Sequence, residues 1–126
     1  METGNSLPAC PVETTLMLIG DKWKVLILRD LLSGTKRFGE LKKSIGHVTQ
    51  KVLTAQLRQM EESGLLTRTV YAEVPPRVEY RLTNEGKSLI GLLDMVYDWG
   101  WNDMKSKGLP IDALGEMWHG YREKDE

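Results

Sequence analysis

The sequence has 126 residues, of which 40% are apolar, and a formal net charge of −1, which is typical of one domain with a hydrophobic core. A single cysteine excludes a disulfide scaffold, and no apolar run approaches the roughly 20 residues that span a bilayer. We therefore expect one cytoplasmic domain over residues 1–126, with no signal peptide and no membrane contact.

The charges are distributed unevenly along the chain. Residues 21–58 contain nine Lys or Arg and three Asp or Glu, whereas residues 94–126 contain four basic and eight acidic residues. The overall charge therefore gives no argument for nucleic acid. The basic front half nevertheless favours an anionic partner over the alternative of simple solvated helix faces.

Two helices are predicted at the N-terminal end. Pro11 suits a first helical position and Glu13 suits a first turn, which predicts a helix from Cys10 to about Gly20. Asp21 can cap a second helix. Apolar side chains nearly encircle this second helix and predict a central position for it; they are Trp23, Leu26, Ile27, Leu28, Leu31 and Leu32.

A helix-turn-helix is predicted over about residues 38–64. The first of its two helices has one apolar face, formed by Phe38, Leu41 and Ile45. Thr49 can cap the second helix, whose other faces carry long polar donors. An inward stripe at spacing i, i+4, i+7 is formed on this helix by Leu53, Leu57 and Met60.

The hydrophobic period then changes from 3.6 to 2, which predicts a β-hairpin over about residues 65–82. Val78, Tyr80 and Leu82 alternate with polar residues. Pro75-Pro76 cannot continue a hydrogen-bonded ladder and predicts the turn. A helix-turn-helix followed by such a hairpin is a winged helix.

Thr83 can cap a long final helix, predicted over about residues 83–104. This helix has two apolar stripes, too broad a surface to hide on one side of a small domain. We expect one stripe to pack internally and the other to meet a second subunit; the alternative is burial by residues 109–126. The predicted dimer interface consists of Leu89, Leu92, Leu93, Val96 and Trp99.

No set of residues indicates catalysis or metal binding. The sequence has no Ser/His/Asp set and no Gly-rich phosphate loop, and the adjacent Glu61 and Glu62 point apart on a helix. His47 and His119 have no ligand at metal spacing. We expect neither an enzyme nor a cofactor. The basic front half and the polar face of the second helix of the helix-turn-helix favour DNA as the partner, and the alternative is a winged helix used only for protein contact.

Five motifs occur in order: C-P-V-E, G-x-K-W, R-F-x-E-L, T-Q-K-x-L-T-x-Q-L-R and V-P-P-R-V-E-Y-x-L-T. Over roughly residues 10–100 the sequence resembles the HxlR-type bacterial transcription regulators, which are related to the MarR group. The resemblance implies an α+β, mainly helical fold: a winged helix-turn-helix with N- and C-terminal dimerisation helices. It also implies a homodimer that binds double-stranded DNA at a pseudo-palindromic operator, and for many members a small-molecule or electrophile effector.

The resemblance makes the second helix of the helix-turn-helix the recognition helix. Gln50 and Thr54 are the expected base readers, because the N-terminal end of such a helix points into the groove. Arg77 is expected in a minor groove, unless it pairs with a flanking glutamate. The predicted DNA contacts are Lys36, Arg37, Lys42, Lys43, Thr49, Gln50, Lys51, Thr54, Gln56, Arg58 and Arg77.

Cys10 has two interpretations. A helix N-terminus favours a thiolate, and redox-sensing members of the family have a cysteine at this motif position, so the resemblance implies a sensor. A disulfide would then join Cys10 to Cys10 of the partner subunit or to a small thiol; otherwise the thiol is alkylated. The alternative is a partly buried structural thiol. A competing effector site is a pocket at the dimer interface lined by Met95, Tyr97 or Trp99.

Overall fold

The structure is a computed structural model, and it describes residues 10–111. Two compact units divide between Lys87 and Ser88. The helices are α1 (Pro11–Ile19), α2 (Lys22–Leu31), α3 (Phe38–Ile45), α4 (Gln50–Glu62), α5 (Asn84–Lys87) and α6 (Ile90–Ser106). The strands are β1 (Lys36–Arg37), β2 (Leu66–Tyr71) and β3 (Arg77–Leu82).

The first two helices begin where the sequence predicts. Cys10 is the N-cap of α1 and Pro11 occupies its first turn. The Asp21 side chain caps α2, because its Oδ1 accepts a hydrogen bond from the backbone N–H of Trp23 at 2.7 Å. Both starts are set by local chemistry, which is why the sequence alone identifies them.

The core of the first unit is built on α2, with α3, α4 and the sheet packed against it. Ile27, Leu28 and Leu31 of α2 are at most 3% exposed, which confirms its central position. The stripes predicted on α3 and α4 also face inward, although Phe38 is only half-buried. Their buried members are Leu41, Ile45, Leu53, Leu57 and Met60.

A buried ion pair in α2 was not predicted. Arg29 and Asp30 are both inaccessible, and Asp30 Oδ1 accepts from Arg29 Nε at 2.9 Å and from Nη2 at 2.7 Å. Arg29 therefore belongs to the core and does not face a partner. The two buried charges cancel, so the surplus of positive charge in residues 21–58 is carried entirely by the other side chains.

The sheet has three antiparallel strands in the order β1-β3-β2. The predicted hairpin is present, with a register from Leu66↔Leu82 to Tyr71↔Arg77, and Pro75-Pro76 lies in its turn. Strand β1 pairs with the other side of β3 through Lys36↔Tyr80. At two residues, β1 is too short to show the alternation by which a sequence reveals a strand.

The single final helix predicted over about residues 83–104 is in fact two helices. The first, α5, has only four residues, and the second, α6, starts after an interruption at Ser88 and Leu89. The two helices belong to different compact units, because the division of the chain falls at this interruption.

The contacts of Thr83 and Gly86 explain why α5 is a separate helix. Thr83 Oγ1 donates to the carbonyl of Gly64 at 2.5 Å and accepts from the N–H of Gly86 at 3.0 Å. A Cβ on Gly86 would collide with the carbonyl oxygen of Leu65, so this turn packs directly on the backbone that enters β2. The sheet therefore holds α5, and the cap predicted at Thr83 serves α5 instead of a long helix.

Candidate nucleic-acid interface

Helix α4 presents a polar face to solvent, opposite its buried stripe. Thr49 caps the helix, since its Oγ1 accepts from the N–H of Val52 at 3.1 Å. Just before the cap, Val48 is buried and anchors the turn that enters the helix. The cap role predicted for Thr49 is confirmed, and the same contact fixes where the exposed face begins.

Three of the exposed side chains form a line along α4. Gln50, Thr54 and Arg58 are spaced i, i+4, i+8, and Lys51 lies beside them. At a rise of 1.5 Å per residue, this line spans about 12 Å from Gln50 to Arg58. We call it the outward stripe, and its members are Gln50, Thr54 and Arg58.

Gln56 lies on the flank of α4, away from the outward stripe. It is half-buried, and its Nε2 donates to Asp21 Oδ2 at 3.3 Å. Asp21 thus joins two elements, because its other oxygen caps α2. The contact assigns Gln56 a place at the junction of α4 with the start of α2, and a role in binding DNA stays a prediction for this residue.

Four further predicted contacts lie on the elements before α4. Arg37 and Lys43 are exposed, whereas Lys36 and Lys42 are half-buried. Within residues 10–111, none of these four cations has a salt bridge to a carboxylate. The backbone N–H of Arg37 donates to Glu40 Oε1 at 2.8 Å, which ties β1 to the first turn of α3 without using the Arg37 guanidinium.

Arg77, at the tip of the wing, has partners on three sides. Its guanidinium lies 3.1 Å from Glu73 Oε2 and 3.5 Å from Glu79 Oε2, and it stacks on Tyr71 at 4.1 Å from the ring centroid. The side chain is 29% exposed. Arg77 therefore pairs with both flanking glutamates, which was the alternative to DNA contact. Its contact with DNA stays a prediction.

A groove between α4 and the sheet was not predicted. It has a volume of about 270 Å³ and is lined by Thr54, Leu57, Arg58, Glu61, Arg68 and Tyr80. The signal in the sequence is the alternation of side chains along a strand. Arg68 and Tyr80 are cross-strand partners, so both side chains lie on the same face of the sheet. We call this space the α4–sheet groove.

In the second unit, α6 exposes large apolar side chains. Trp99 is 72% exposed and Met95 71% exposed, and Leu92 and Val96 are also exposed. Leu93 is only 3% exposed, and Leu89 is half-buried. The exposed apolar stripe of α6 therefore contains Leu92, Met95, Val96 and Trp99, so that Met95 joins three residues of the predicted interface.

Cys10 is exposed rather than partly buried, and its thiol makes no capping hydrogen bond to α1. The lysines that follow α1 make their contacts elsewhere. Lys22 Nζ lies 4.5 Å from the centroid of the Trp23 ring, and Lys24 Nζ donates to the Met17 carbonyl at 3.3 Å. Helix α1 itself exposes apolar side chains, namely Val12, Leu16 and Met17.

Residues 10–111 do not provide a metal site or a membrane span. This part of the chain has no group of three or more His, Cys, Asp or Glu side chains that could hold a metal ion. It also has no helix with the length and apolar character needed to cross a membrane. His119, considered as a metal ligand from the sequence, lies outside the described residues.

Comparisons with known proteins agree with this geometry. Residues 18–107 match the family model described as HxlR-like helix-turn-helix. The uncharacterized HTH-type transcriptional regulator YtcD of Bacillus subtilis (strain 168) is 53% identical over 91 residues, which cover 72% of each chain. An uncharacterized HTH-type transcriptional regulator of Methanothermobacter thermautotrophicus is 48% identical over 99 residues, covering 79% of this chain and 76% of the relative.

Two solved structures of regulators are also similar. The redox regulator HypR in its oxidized form has 43% sequence identity and a TM-score of 0.69, covering 74% of this chain and 96% of HypR. The reduced form of the transcriptional regulator YodB from B. subtilis has 33% identity and a TM-score of 0.66, covering 77% of this chain and 94% of YodB.

The pairing of Arg77 leads to a first testable prediction. Arg77→Ala should weaken binding to specific and scrambled DNA alike and reduce the salt slope by about one, because a phosphate or minor-groove contact is electrostatic. Glu73→Gln should leave affinity unchanged or raise it, since it removes a competing carboxylate 3.1 Å from the guanidinium. Fluorescence anisotropy at several salt concentrations measures both.

A purely structural role for Arg77 gives a different pattern. If the ion pairs only stiffen the wing, Glu73→Gln would weaken DNA binding in the same direction as Arg77→Ala, and the predicted contact would be wrong.

Proposed function

The chain belongs to the HxlR-like helix-turn-helix family of transcriptional regulators, and on this basis we propose that it binds operator DNA as a homodimer, with α4 as recognition helix. The observation that carries the proposal is the outward stripe of α4, which is exposed while the inward stripe on another side of the same helix is buried. A helix held in this way can enter a groove without losing its own packing.

The dimensions of α4 suit the major groove. The outward stripe spans about 12 Å, close to the width of about 12 Å of the major groove of B-DNA. With the N-terminal end of the helix at the base edges, Gln50 and Thr54 read bases. Thr49 and Lys51 then lie beside the backbone and contact phosphates.

The cations around α4 supply the sequence-independent part of the affinity. Lys36, Arg37, Lys42 and Lys43 have no salt bridges to carboxylates within the described residues, and each phosphate they neutralise releases counterions from the DNA. A winged helix used only for contact with another protein, the alternative function, gives no reason for this surplus of unpaired positive charge.

Gln50 provides the sharpest test of the recognition helix. Gln50→Ala should relax the preference for one base pair of the operator by about 1–3 kcal/mol, because the amide of Gln reads adenine bidentately. Gln59→Ala is the matched control, since Gln59 is an exposed residue of the same helix on the other side from the outward stripe. Gel-shift titrations with the operator and its single-base variants, starting from the DNA that flanks the gene, measure the preference.

Equal effects of the two glutamine substitutions would contradict the assignment of α4. Absence of DNA binding by the unaltered protein, even at low salt, would favour the protein-contact alternative.

Dimerisation is proposed from the exposed apolar stripe of α6. Large apolar patches on a surface mark interaction sites, and Trp is a frequent anchor at such sites. Helix α1 exposes a second apolar surface with Val12 and Leu16. A twofold dimer would bind a pseudo-palindromic operator with half-sites about 34–36 Å apart.

Trp99 tests the dimer. Trp99→Asp should weaken dimerisation by at least about tenfold, because it removes an aromatic anchor and places a charge in the apolar contact. It should also weaken operator binding, since one subunit reaches only one half-site. Lys105→Glu is the control, because it introduces an acidic group on another side of the same helix. Analytical ultracentrifugation gives the monomer–dimer equilibrium, and an unchanged equilibrium for Trp99→Asp would place the dimer contact elsewhere.

Cys10 is proposed as the switch. An exposed thiol at the start of α1 can react with an oxidant or an electrophile, and α1 is one of the surfaces proposed for dimerisation. Diamide would join two thiols, either Cys10 and Cys10 of the partner subunit or Cys10 and glutathione. The two sulfurs bond, two protons leave, and the azo group of diamide takes up two electrons and two protons.

Cys10→Ser tests this switch, because it removes the only thiol of the chain. Diamide should lower the DNA affinity of the unaltered protein, and dithiothreitol should restore it, whereas Cys10→Ser should show neither change. Non-reducing gels distinguish a cross-linked dimer from a mixed disulfide. An equal loss of affinity in Cys10→Ser would show that the thiol is structural, and would favour a small-molecule effector bound near Met95, Tyr97 or Trp99.

Further parts of the proposal follow from the regulator class. We expect no enzymatic activity, no cofactor and a location in the cytoplasm.

A further inference from the structure

Two arginines from different elements line the α4–sheet groove. Arg58 comes from α4 and Arg68 from β2, and both are exposed. Neither guanidinium has a hydrogen bond or an ion pair to any other residue in the part of the chain that the structure describes. Among the six residues that line the groove, Arg58 and Arg68 are basic and only Glu61 is acidic, so the groove has a net charge of +1 that suits an anion from outside the chain.

The helical period of α4 and the strand alternation of the sheet together place these side chains at one groove. Thr54, Arg58 and Glu61 follow one another at i, i+4, i+7 along α4 and so share one side of the helix. Arg68 stands opposite Tyr80 in the β2–β3 ladder, so both side chains lie on the sheet face that lines the groove. Their positions are therefore fixed by the helix and the sheet, not by a loop.

The floor of the groove is apolar and well packed. Leu57 is 2% exposed and Tyr80 is 8% exposed. A phosphate that enters from the solvent side would meet the two guanidinium groups, which can form charge-assisted hydrogen bonds with its oxygens.

The position of Arg58 along α4 indicates which kind of anion the groove would meet. Arg58 lies two turns, about 12 Å, beyond Gln50. With Gln50 at the base edges, the distance carries Arg58 across the major groove to the sugar-phosphate backbone at its rim. A backbone phosphate is therefore the anion that would lie at the groove.

We propose that Arg58 and Arg68 together bind one phosphate of the operator backbone, with Arg68 as a DNA contact supplied by the sheet. The inference rests on the proposed DNA binding and extends it from the recognition helix to the face of β2. A planar guanidinium can bind a phosphate with two parallel hydrogen bonds, and two such groups on one groove hold the end of α4 and the sheet to the same backbone position.

Glu61 gives the proposal a second consequence. Its carboxylate lines the same groove and repels a phosphate there. Glu61→Gln should therefore tighten DNA binding by about two- to fivefold at low salt. Glu62→Gln is the matched control, because Glu62 is the next residue of α4, is exposed, and does not line the groove.

The central experiment compares Arg68→Ala with Arg81→Ala. Arg81 pairs with Thr67, the next position of the ladder, so its side chain lies on the opposite face of the sheet. Arg68→Ala should weaken binding to operator and scrambled DNA alike by about three- to tenfold at moderate salt, and Arg81→Ala should change it by less than about twofold. Equal effects of the two substitutions, or no effect of Arg68→Ala, would overturn the proposal.

The double variant Arg58→Ala/Arg68→Ala tests whether the phosphate is shared. The logarithm of the binding constant falls with the logarithm of salt concentration by about 0.9 per neutralised phosphate. A shared phosphate predicts that the double variant loses about one unit of this slope per subunit, with non-additive losses of affinity in the single variants. A loss of about two units with additive affinities would assign the arginines to different phosphates and contradict the proposal.

Two further results would distinguish a failure of the shared phosphate site from a failure of the proposed DNA binding. If the unaltered protein binds no DNA, the proposed function fails and the inference falls with it. If Arg68→Ala keeps full DNA affinity but is no longer inhibited by inorganic phosphate at constant ionic strength, the groove binds a free anion, and the inference fails while the proposed function stands.

Discussion

The burial of one side of α4 is the constraint on which the proposed interface depends. Leu53, Leu57 and Met60 are almost inaccessible, and each contributes on the order of 1.5–3 kcal/mol by leaving water. Successive residues of a helix are 100° apart, so a rotation of α4 by one position in one direction would expose this stripe and turn Thr54 towards the core. Hydrophobic burial therefore selects the side chains that would face the groove of a nucleic acid in the proposed interface, although none of the buried residues would touch it.

The junction between α4 and the sheet gives the second constraint. The backbone N–H of Leu65 donates to the carbonyl of Met60 at 2.9 Å, and the N–H of Thr83 donates to the carbonyl of Leu65 at 3.0 Å. The end of α4, the start of β2 and the end of β3 thus meet at one point. Because α4 and the wing leave from the same hydrogen-bonded junction, the α4–sheet groove has a defined shape, and Arg58 and Arg68 can act on a common ligand.

The positive charges of the chain have different structural roles, which their number in the sequence conceals. Arg29 is buried in a pair with Asp30, so its charge is neutralised within the core and does not face a partner. Arg77 lies between two carboxylates and an aromatic ring. Arg58 and Arg68, in contrast, have no partner in the described chain. Only the last kind of cation adds to the affinity for a polyanion without first breaking an existing contact.

The amino-acid sequence by itself determined the helix starts at Cys10, Asp21 and Thr49, the inward stripes of α3 and α4, the hairpin and the family. These features depend on residues a few positions apart, so periodicity and capping reveal them. Only the tertiary structure decided the burial of Arg29 and Leu93, the strand β1, the interruption before α6 and the α4–sheet groove. Each of these depends on contacts or packing that local sequence patterns do not encode. A pattern that is read within one helix or strand cannot show which distant segment will lie against it.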